Sequence, residues 1–401
     1  MLKILLLSLS MLMISSTYAF TFDEAIKQIK EHDHLKSIEF ESKSLESKSE
    51  KIGSWGDPML KLAAKNFPKD SLKDNETPMT GIEFGLSQKM ALTNKYGKLE
   101  NAVKEESKSL LYKKEDQAQA MIKSFWDILI AIKRLKNEIS IFDENLSWLD
   151  KTIKVSERLY ANGKISQQAL LDIKIRQAQM QSSLDNKKFE LQTQNSNLSY
   201  LFGKKTPFDL KSVPWKIIDK KEATKVDLKE LSLKAKLNAS EYNLSASNLN
   251  YVPDITFSVG YTKRSNIDDR GDFVSASISF PIPTSSIKYA NKDMAINQKY
   301  SASHKLNDYK RYKEKNIDHL KIDIEKIKNE LKILDSRTIK FAESSRKITL
   351  KSYSLGEATY VELLQSEIKF QDILMKQVEL RSQLLAKKID LKYIVGEKLD
   401  A

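Results

Sequence analysis

Apolar residues recur along this chain in two rhythms. Met121, Phe125, Ile128, Ile132, Leu135, Ile139, Phe142, Leu146, Leu149 and Ile153 step by alternating fours and threes, and the seam continues to Ser156 and Tyr160. Ile317, Leu320, Ile324, Ile327, Leu331 and Leu334 do the same, continuing through Thr338, Phe341, Ser345 and Ile348. A mean spacing of about 3.5 residues predicts helices that supercoil around partner helices. The second rhythm is strict alternation. Leu60, Leu62 and Ala64; Ile82, Phe84 and Leu86; Ile255, Phe257, Val259 and Tyr261; and Val274, Ala276, Ile278 and Phe280 each have polar or small residues between them. This predicts four strands of about 9–11 residues with one apolar face and one small polar face.

The helix breakers separate the two rhythms. Apart from Gly163, Gly356 and Gly396, every Gly and Pro lies between Gly53 and Gly97 or between Gly203 and Pro283. Residues 98–162, 164–202, 284–355 and 357–395 contain none, and the longest of these segments would make helices of roughly 100 Å. Strands are expected within 57–90 and 253–283. Gly163 and Gly356 then supply the left-handed backbone that reverses the chain between two helices.

The two halves also repeat one another. Tyr160-Ala-Asn-Gly163-Lys164-Ile-Ser166 recurs as Tyr353-Ser-Leu-Gly356-Glu-Ala-Thr359, and Leu201-Phe202-Gly203 recurs as Ile394-Val395-Gly396 at the same offset. Lys95-Tyr96 and Lys288-Tyr289 match at that offset too. A tandem duplication of a helix, β-hairpin, long-helix, helix unit follows: a first repeat over 20–203, a linker over 204–214 and a second repeat over 215–401.

Composition narrows the class. Eleven Gly and eight Pro in 401 residues amount to under half the roughly 12% of an average chain, which disfavours a loop-rich enzyme. The absence of Cys removes disulfide scaffolds, iron–sulfur ligation and thiol catalysis. The net charge of +13 comes from lysines interspersed with Glu and Asp along nearly every segment, the pattern of solvated helix faces rather than a nucleic-acid surface. Lys3, the apolar run over 4–14 and the small residues ending at Ala19 read as a secretory signal peptide over 1–19. No later apolar run is long enough for a spanning helix.

An exported chain with four membrane-length strands cannot close a barrel alone, and an open edge cannot lie in lipid. Three copies would supply twelve strands, an even number within the known range. The competing readings are a plain two-chain coiled coil for the helices and a soluble two-layer hairpin domain for the strands. The polar face lacks the bulky residues that a packed soluble core needs.

In this arrangement the chain resembles the TolC-type outer-membrane efflux proteins over nearly its whole length after residue 19. The resemblance is carried by Thr21-Phe22-Asp23-Glu24-Ala25, the strand starts at Pro58 and Pro253, Leu86-Ser87-Gln88, the paired Tyr-x-x-Gly-x-x-Ser/Thr turns and the Leu/Ile-x-Gly helix ends. Each motif is weak alone; their order, spacing and duplication are specific. The resemblance implies a mainly α protein with membrane β structure. It would be a homotrimer whose 12-stranded barrel sits in outer-membrane lipid and continues as a periplasmic α-helical barrel. It further implies a periplasmic adaptor (membrane fusion) protein and an inner-membrane RND or ABC transporter as partners, and a passive exit channel for efflux or type I secretion.

The same resemblance assigns candidate site residues. Tyr160, Gly163, Lys164, Ser166, Tyr353, Gly356 and Thr359 would form periplasmic turns that contact the adaptor. Members of the family carry two Asp three residues apart after the second turn, forming constricting rings; the matching positions here are Glu362 and Gln365, so one carboxylate is kept and the other is an amide. Asp172, at the position equivalent to Gln365 in the first repeat, is the compensating candidate. Three copies of Glu362 around a narrow axis would raise one another's pKa and favour cations, whereas a solvated helix position is the plain alternative.

No catalytic constellation accompanies these features. Gly-x-Ser-x-Gly, Walker and Rossmann patterns are missing, and no cofactor is expected. His32 and His34 flank Asp33, but a lone His-Asp-His near a chain start is more often solvated than ligating. The competing functional class is a periplasmic structural coiled-coil spacer without channel activity, which would be extracted without detergent.

Overall fold

The computed structural model describes residues 19–203, 207–220, 225–265 and 267–400. The leader expected over 1–19 lies outside these residues apart from Ala19. In chain order the elements are α1 (Phe22–Lys30), α2 (Asp33–Gly53), β1 (Met59–Lys65), β2 (Gly81–Met90), α3 (Lys95–Ala161), α4 (Gln167–Phe202), α5 (Leu228–Leu249), β3 (Ile255–Arg264), β4 (Phe273–Ser279), α6 (Ile287–Ile333), α7 (Ile339–Leu355) and α8 (Tyr360–Val395). A π turn over Leu334–Thr338 joins α6 to α7. The chain divides into two compact units. One comprises the described residues of Met1–Asp33, Gln117–Val226 and Glu314–Ala401; the other comprises those of His34–Asp116 and Asp227–Lys313.

The second unit holds all four strands, in one antiparallel sheet of order β1-β2-β3-β4. β2 and β3 are ten residues long, whereas β1 and β4 are seven, shorter than the alternation suggests. Each of these outer strands has a neighbour on one side only, and Phe280 falls beyond β4, where Pro281 and Pro283 have no N–H to give a ladder. Two reciprocal serine pairs join the helices of this unit. The Ser42 and Ser107 hydroxyls lie 2.8 Å apart and those of Ser109 and Ser232 2.9 Å apart, all four residues buried. Each hydroxyl also reaches the opposing backbone carbonyl, so small polar residues pack α2 and α5 closely on α3 with no orphaned group.

The first unit is built on an aromatic core. Thr21 and Glu24 form a capping box that starts α1, and α1 buries Phe22, Ala25, Ile26 and Ile29. Phe22 meets Phe125 and Trp126 at ring-centroid distances of 5.7 and 5.1 Å, and Phe125 meets Phe202 edge-on at 5.7 Å. Trp126 is fully buried, and its Nε1 donates to the Leu399 carbonyl at 3.0 Å, which satisfies the one polar atom of the largest core side chain.

The first heptad seam is buried or half-buried from Met121 to Ser156, but Tyr160 is exposed and Leu159 is buried in its place. The second seam is buried or half-buried only as far as Thr338. Beyond it Phe341 and Ile348 are 72% and 67% exposed, and Ala342 and Tyr353 are buried instead. The π turn is the cause: its wider ring adds one residue to the helix and moves the inward stripe of α7 on by one position.

Candidate functional site

Both helix reversals close in the same way. At the first, Gly163 at φ +68° donates its N–H to the Tyr160 carbonyl at 2.9 Å, and Lys164 donates to Leu159 at 2.8 Å. At the second, Gly356 at φ +83° donates to Tyr353 at 3.0 Å, and Glu357 donates to Ser352 at 2.9 Å. These paired 5→2 and 6→1 bonds are Schellman motifs, which need a left-handed residue at the glycine. The next helices begin at Gln167 and Tyr360 rather than at 164 and 357, because Ser166 and Thr359 act as N-caps. The Lys164 side chain lies across the second turn, its Cδ 3.9 Å from where a Cβ on Gly356 would stand. The two reversals are therefore neighbours.

The two tyrosines that open these turns take different roles. Tyr160 is 44% exposed and Tyr353 is 1% exposed, packed with Leu149, Ile153 and Leu363 in one apolar cluster. Burial pushes the Tyr353 phenol up.

Glu362 sits in the first turn of α8 and is exposed. Its carboxylate accepts from the Thr359 backbone N–H at 2.7 Å and from the Thr359 hydroxyl at 2.9 Å, while its own N–H returns to that hydroxyl at 3.2 Å. The backbone bond foremost, and the hydroxyl bond after it, hold this carboxyl below the ordinary glutamate value. Within one chain Glu362 is thus a helix cap biased towards its charged form. Asp172, on α4, is hydrogen-bonded to the Tyr360 hydroxyl, and that bond raises the Tyr360 phenol. Gln365 lies apart from both contacts. It lines an open groove of about 540 Å³ with Leu334, Thr338, Ile368 and Asp372, beside the π turn.

A buried polar cluster two turns further along α8 escapes sequence reasoning. Glu367 is 1% exposed, with Arg346 of α7 at 3.5 Å and no hydrogen-bond partner on its Oε1. The Arg346 guanidinium lies 4.3 Å from the centroid of the Phe370 ring. Arg176 of α4 donates to the Gln371 carbonyl oxygen at 2.9 Å, and the Gln371 amide reaches the Met180 sulfur at 3.5 Å. Burial raises the Glu367 pKa, and the attraction of Arg346 and Arg176 does not cancel it. The available signal was a Glu four residues after Leu363, on the apolar stripe of α8. On a charge-rich helix that reads as a solvated position.

In the sheet, side-chain parity is unbroken across all four strands. Leu62 faces Phe84, Phe84 faces Tyr261 and Tyr261 faces Val274; one step on, Leu60, Leu86, Val259 and Ala276 align likewise. Apart from Gln88 and, near the end of β3, Lys263, this face is apolar and open, with Leu62, Phe84, Tyr261 and Val274 exposed by 64, 48, 44 and 77%. Lys61, Glu83, Gly85, Ser258, Gly260 and Ser275 lie on the opposite face. Such a sheet leaves its hydrophobic side open among the described residues.

No protein-family model and no curated protein matches the chain. Solved structures do. CusC, described for its transmembrane channel formation, superposes with a TM-score of 0.77 at 12% identity, over 94% of this chain and 94% of that one. The outer-membrane protein VceC from Vibrio cholerae gives a TM-score of 0.76 at 15% identity over 94% and 96%. The outer-membrane channel OprN gives 0.77 at 13% identity over 94% and 91%. The chain has the fold of these outer-membrane channel proteins. Coverage near the full length of both partners means that helices and strands alike belong to the shared outer-membrane channel fold.

His32 packs its ring edge-on against Tyr200 at 6.1 Å. Among the described residues no group of three or more His, Asp or Glu side chains is placed to hold a metal ion.

Proposed function

We propose that this protein is an outer-membrane exit channel of the TolC type, serving a tripartite efflux pump or a type I secretion system as a passive conduit. The observation that carries the reading is the sheet. An in-register apolar face, open to its surroundings and backed by a polar face of small and charged residues, is what a lipid-facing barrel wall requires. Three chains would pair β1 of one with β4 of the next, closing twelve strands and leaving no edge in lipid. The tandem duplication of a helix, hairpin, long-helix, helix unit would supply each chain's four strands and its share of a periplasmic α-helical barrel.

Self-association is also supported by the helices. Phe341, Ile348 and Leu355, spaced by seven, are exposed by 72, 67 and 56% along α7. A heptad-spaced apolar stripe left uncovered within one chain suits a neighbouring helix of a second copy. The turns around Gly163 and Gly356 would lie at the periplasmic end and present Lys164 and Tyr160 to an adaptor protein, with an inner-membrane RND or ABC transporter as the energy source. The protein would not be an enzyme.

Planar-bilayer conductance of the detergent-purified protein, with its oligomeric mass measured on the same sample, tests this reading. A trimer giving discrete current steps is expected. A water-soluble protein without conductance would sink it and favour a coiled-coil spacer. In the conducting trimer Glu362→Ala should raise conductance and weaken block by multivalent cations applied from the helical side; unchanged block would remove Glu362 from the constriction.

A further inference from the structure

The polar face of the sheet has a charge arrangement that its composition alone does not reveal. Its strand residues include four cations, Lys61, Lys65, Lys89 and Arg264, and one anion, Glu83. Glu83 is 7% exposed, and its carboxylate is shared by Lys65 and, at 3.3 Å, by Lys61. The glycine pair Gly85 and Gly260, opposite one another in register, makes room for it. A Cβ on Gly260 would stand 3.0 Å from the Glu83 Oε1 and 2.8 Å from the Ser275 hydroxyl. The carboxylate is thus laid against the sheet, while the Lys61 and Lys65 side chains remain 60% and 42% exposed above it.

The same device recurs at the foot of β3. Asp254 is 8% exposed and is held by Lys95 at 2.7 Å, by Lys89 at 3.2 Å and by the Tyr96 hydroxyl at 2.8 Å. Lys95 is buried with it, whereas the Lys89 side chain is 58% exposed. Arg264 adds no accessible charge. Its side chain is 2% exposed and its N–H groups are committed to the Gly271 carbonyl at 2.7 Å, to Asp268 at 3.1 Å and to the Pro78 carbonyl.

Each carboxylate of this face is therefore covered by two lysines, and the charge left uncovered is positive. A mobile cation meets carboxylates already ion-paired to lysines; a mobile anion meets ammonium-bearing side chains that stay exposed. Resting on the channel reading above, we infer that the strand-lined part of the duct is anion-preferring. Lys61, Lys65 and Lys89 are its contact groups, and its favoured cargo is anionic small solutes. Rings of Lys set anion preference in other pores, and low-dielectric walls concentrate the field of such a ring in the lumen.

The test is the reversal potential of the reconstituted full chain in a KCl gradient, with inorganic tripolyphosphate as a blocking probe added from either side. The combined variant Lys61→Glu, Lys65→Glu, Lys89→Glu should lower the Cl⁻ to K⁺ permeability ratio at least about two-fold and abolish tripolyphosphate block from the strand side. Glu83→Gln should raise the ratio. If the triple variant fails to insert, the single changes Lys61→Gln and Lys89→Gln read the same quantity with smaller shifts. A conducting channel whose ratio and tripolyphosphate block are the same in all these variants overturns the assignment to the strand wall while leaving the channel reading intact. Absence of conductance in the unaltered protein overturns both.

Discussion

The Tyr353 phenol and the Ser156 hydroxyl lie 2.8 Å apart, and both residues are almost completely buried. Ser156 commits its single proton to the Thr152 carbonyl at 2.9 Å, so Tyr353 must donate and Ser156 accept. The two partners are consequently not equivalent. Tyr353→Phe removes the donor and orphans nothing, because Ser156 keeps its bond to Thr152; the cost should be about 0.5–1.5 kcal/mol. Ser156→Ala leaves a buried phenol O–H without an acceptor, and the cost should be about 1–3 kcal/mol. Thermal or denaturant unfolding in detergent should rank Ser156→Ala below Tyr353→Phe. The reverse order would mean that the proton lies the other way round.

Glu367 predicts a pH dependence of opposite sign to that of an exposed ion pair. Burial makes the folded chain hold the Glu367 proton more tightly than the unfolded chain does. Its contribution to stability is therefore complete below the ordinary carboxylate value of 4.5 and is lost as pH rises through the higher folded value. Arg346, from α7, and Arg176, from α4, are the charges that limit this loss. Glu367→Gln removes the titration, so the variant should melt higher than the unaltered protein at neutral pH and converge with it in acid. Melting curves across that range decide it, and a variant less stable at neutral pH would mean that the arginine attraction outweighs burial.

The reversals give a third expectation. Gly163 and Gly356 have open space where a Cβ would stand, with nothing nearer than the Lys164 Cδ at 3.9 Å. Substitution by Ala therefore meets no clash, and the penalty is that of left-handed backbone alone, about 1–2 kcal/mol at each site. Asn, which tolerates that region better, should recover part of it. If unfolding measurements find Ala neutral at either position, the Schellman closure there is not limiting.

Much of this architecture can be read in the sequence, for identifiable reasons. Helices and strands bury or expose residues at different periods, and the scarcity of Gly and Pro inside the long segments leaves no rival element to propose. The seam from Met121 to Ser156 was legible because an undisturbed α-helix keeps its phase. The stretch after Thr338 was not, because no side chain in Leu334–Thr338 announces a π turn, and one inserted residue exchanges Phe341 for Ala342 on the inward face. At the turns the glycines were legible as local chemistry, whereas the Ser166 and Thr359 caps start the following helices three residues later than the breakers suggest. What Glu362 and Tyr353 touch depends on neighbours three residues away or nearly two hundred, and only the second kind is hidden from a reading along the chain. The Glu367 cluster is of that hidden kind: its two arginines come from different helices.

The exposed stripe of α7 carries the last prediction. Phe341 and Ile348 lie one heptad apart on the face that the π turn moved outward, and both are largely exposed within one chain. If a second copy covers them, each removes apolar surface from water on assembly, and burying such a side chain contributes about 1.5–3 kcal/mol. Phe341→Asp would place a charge in that contact and should dissociate the oligomer, whereas Phe341→Leu should leave it assembled. Because these residues have little intrachain burial to lose, the Asp variant should keep the helical content of the unaltered protein. Light scattering of the detergent-solubilised variants, paired with circular dichroism, reads both quantities. An Asp variant that remains fully oligomeric would place the subunit contact on another face of the helices.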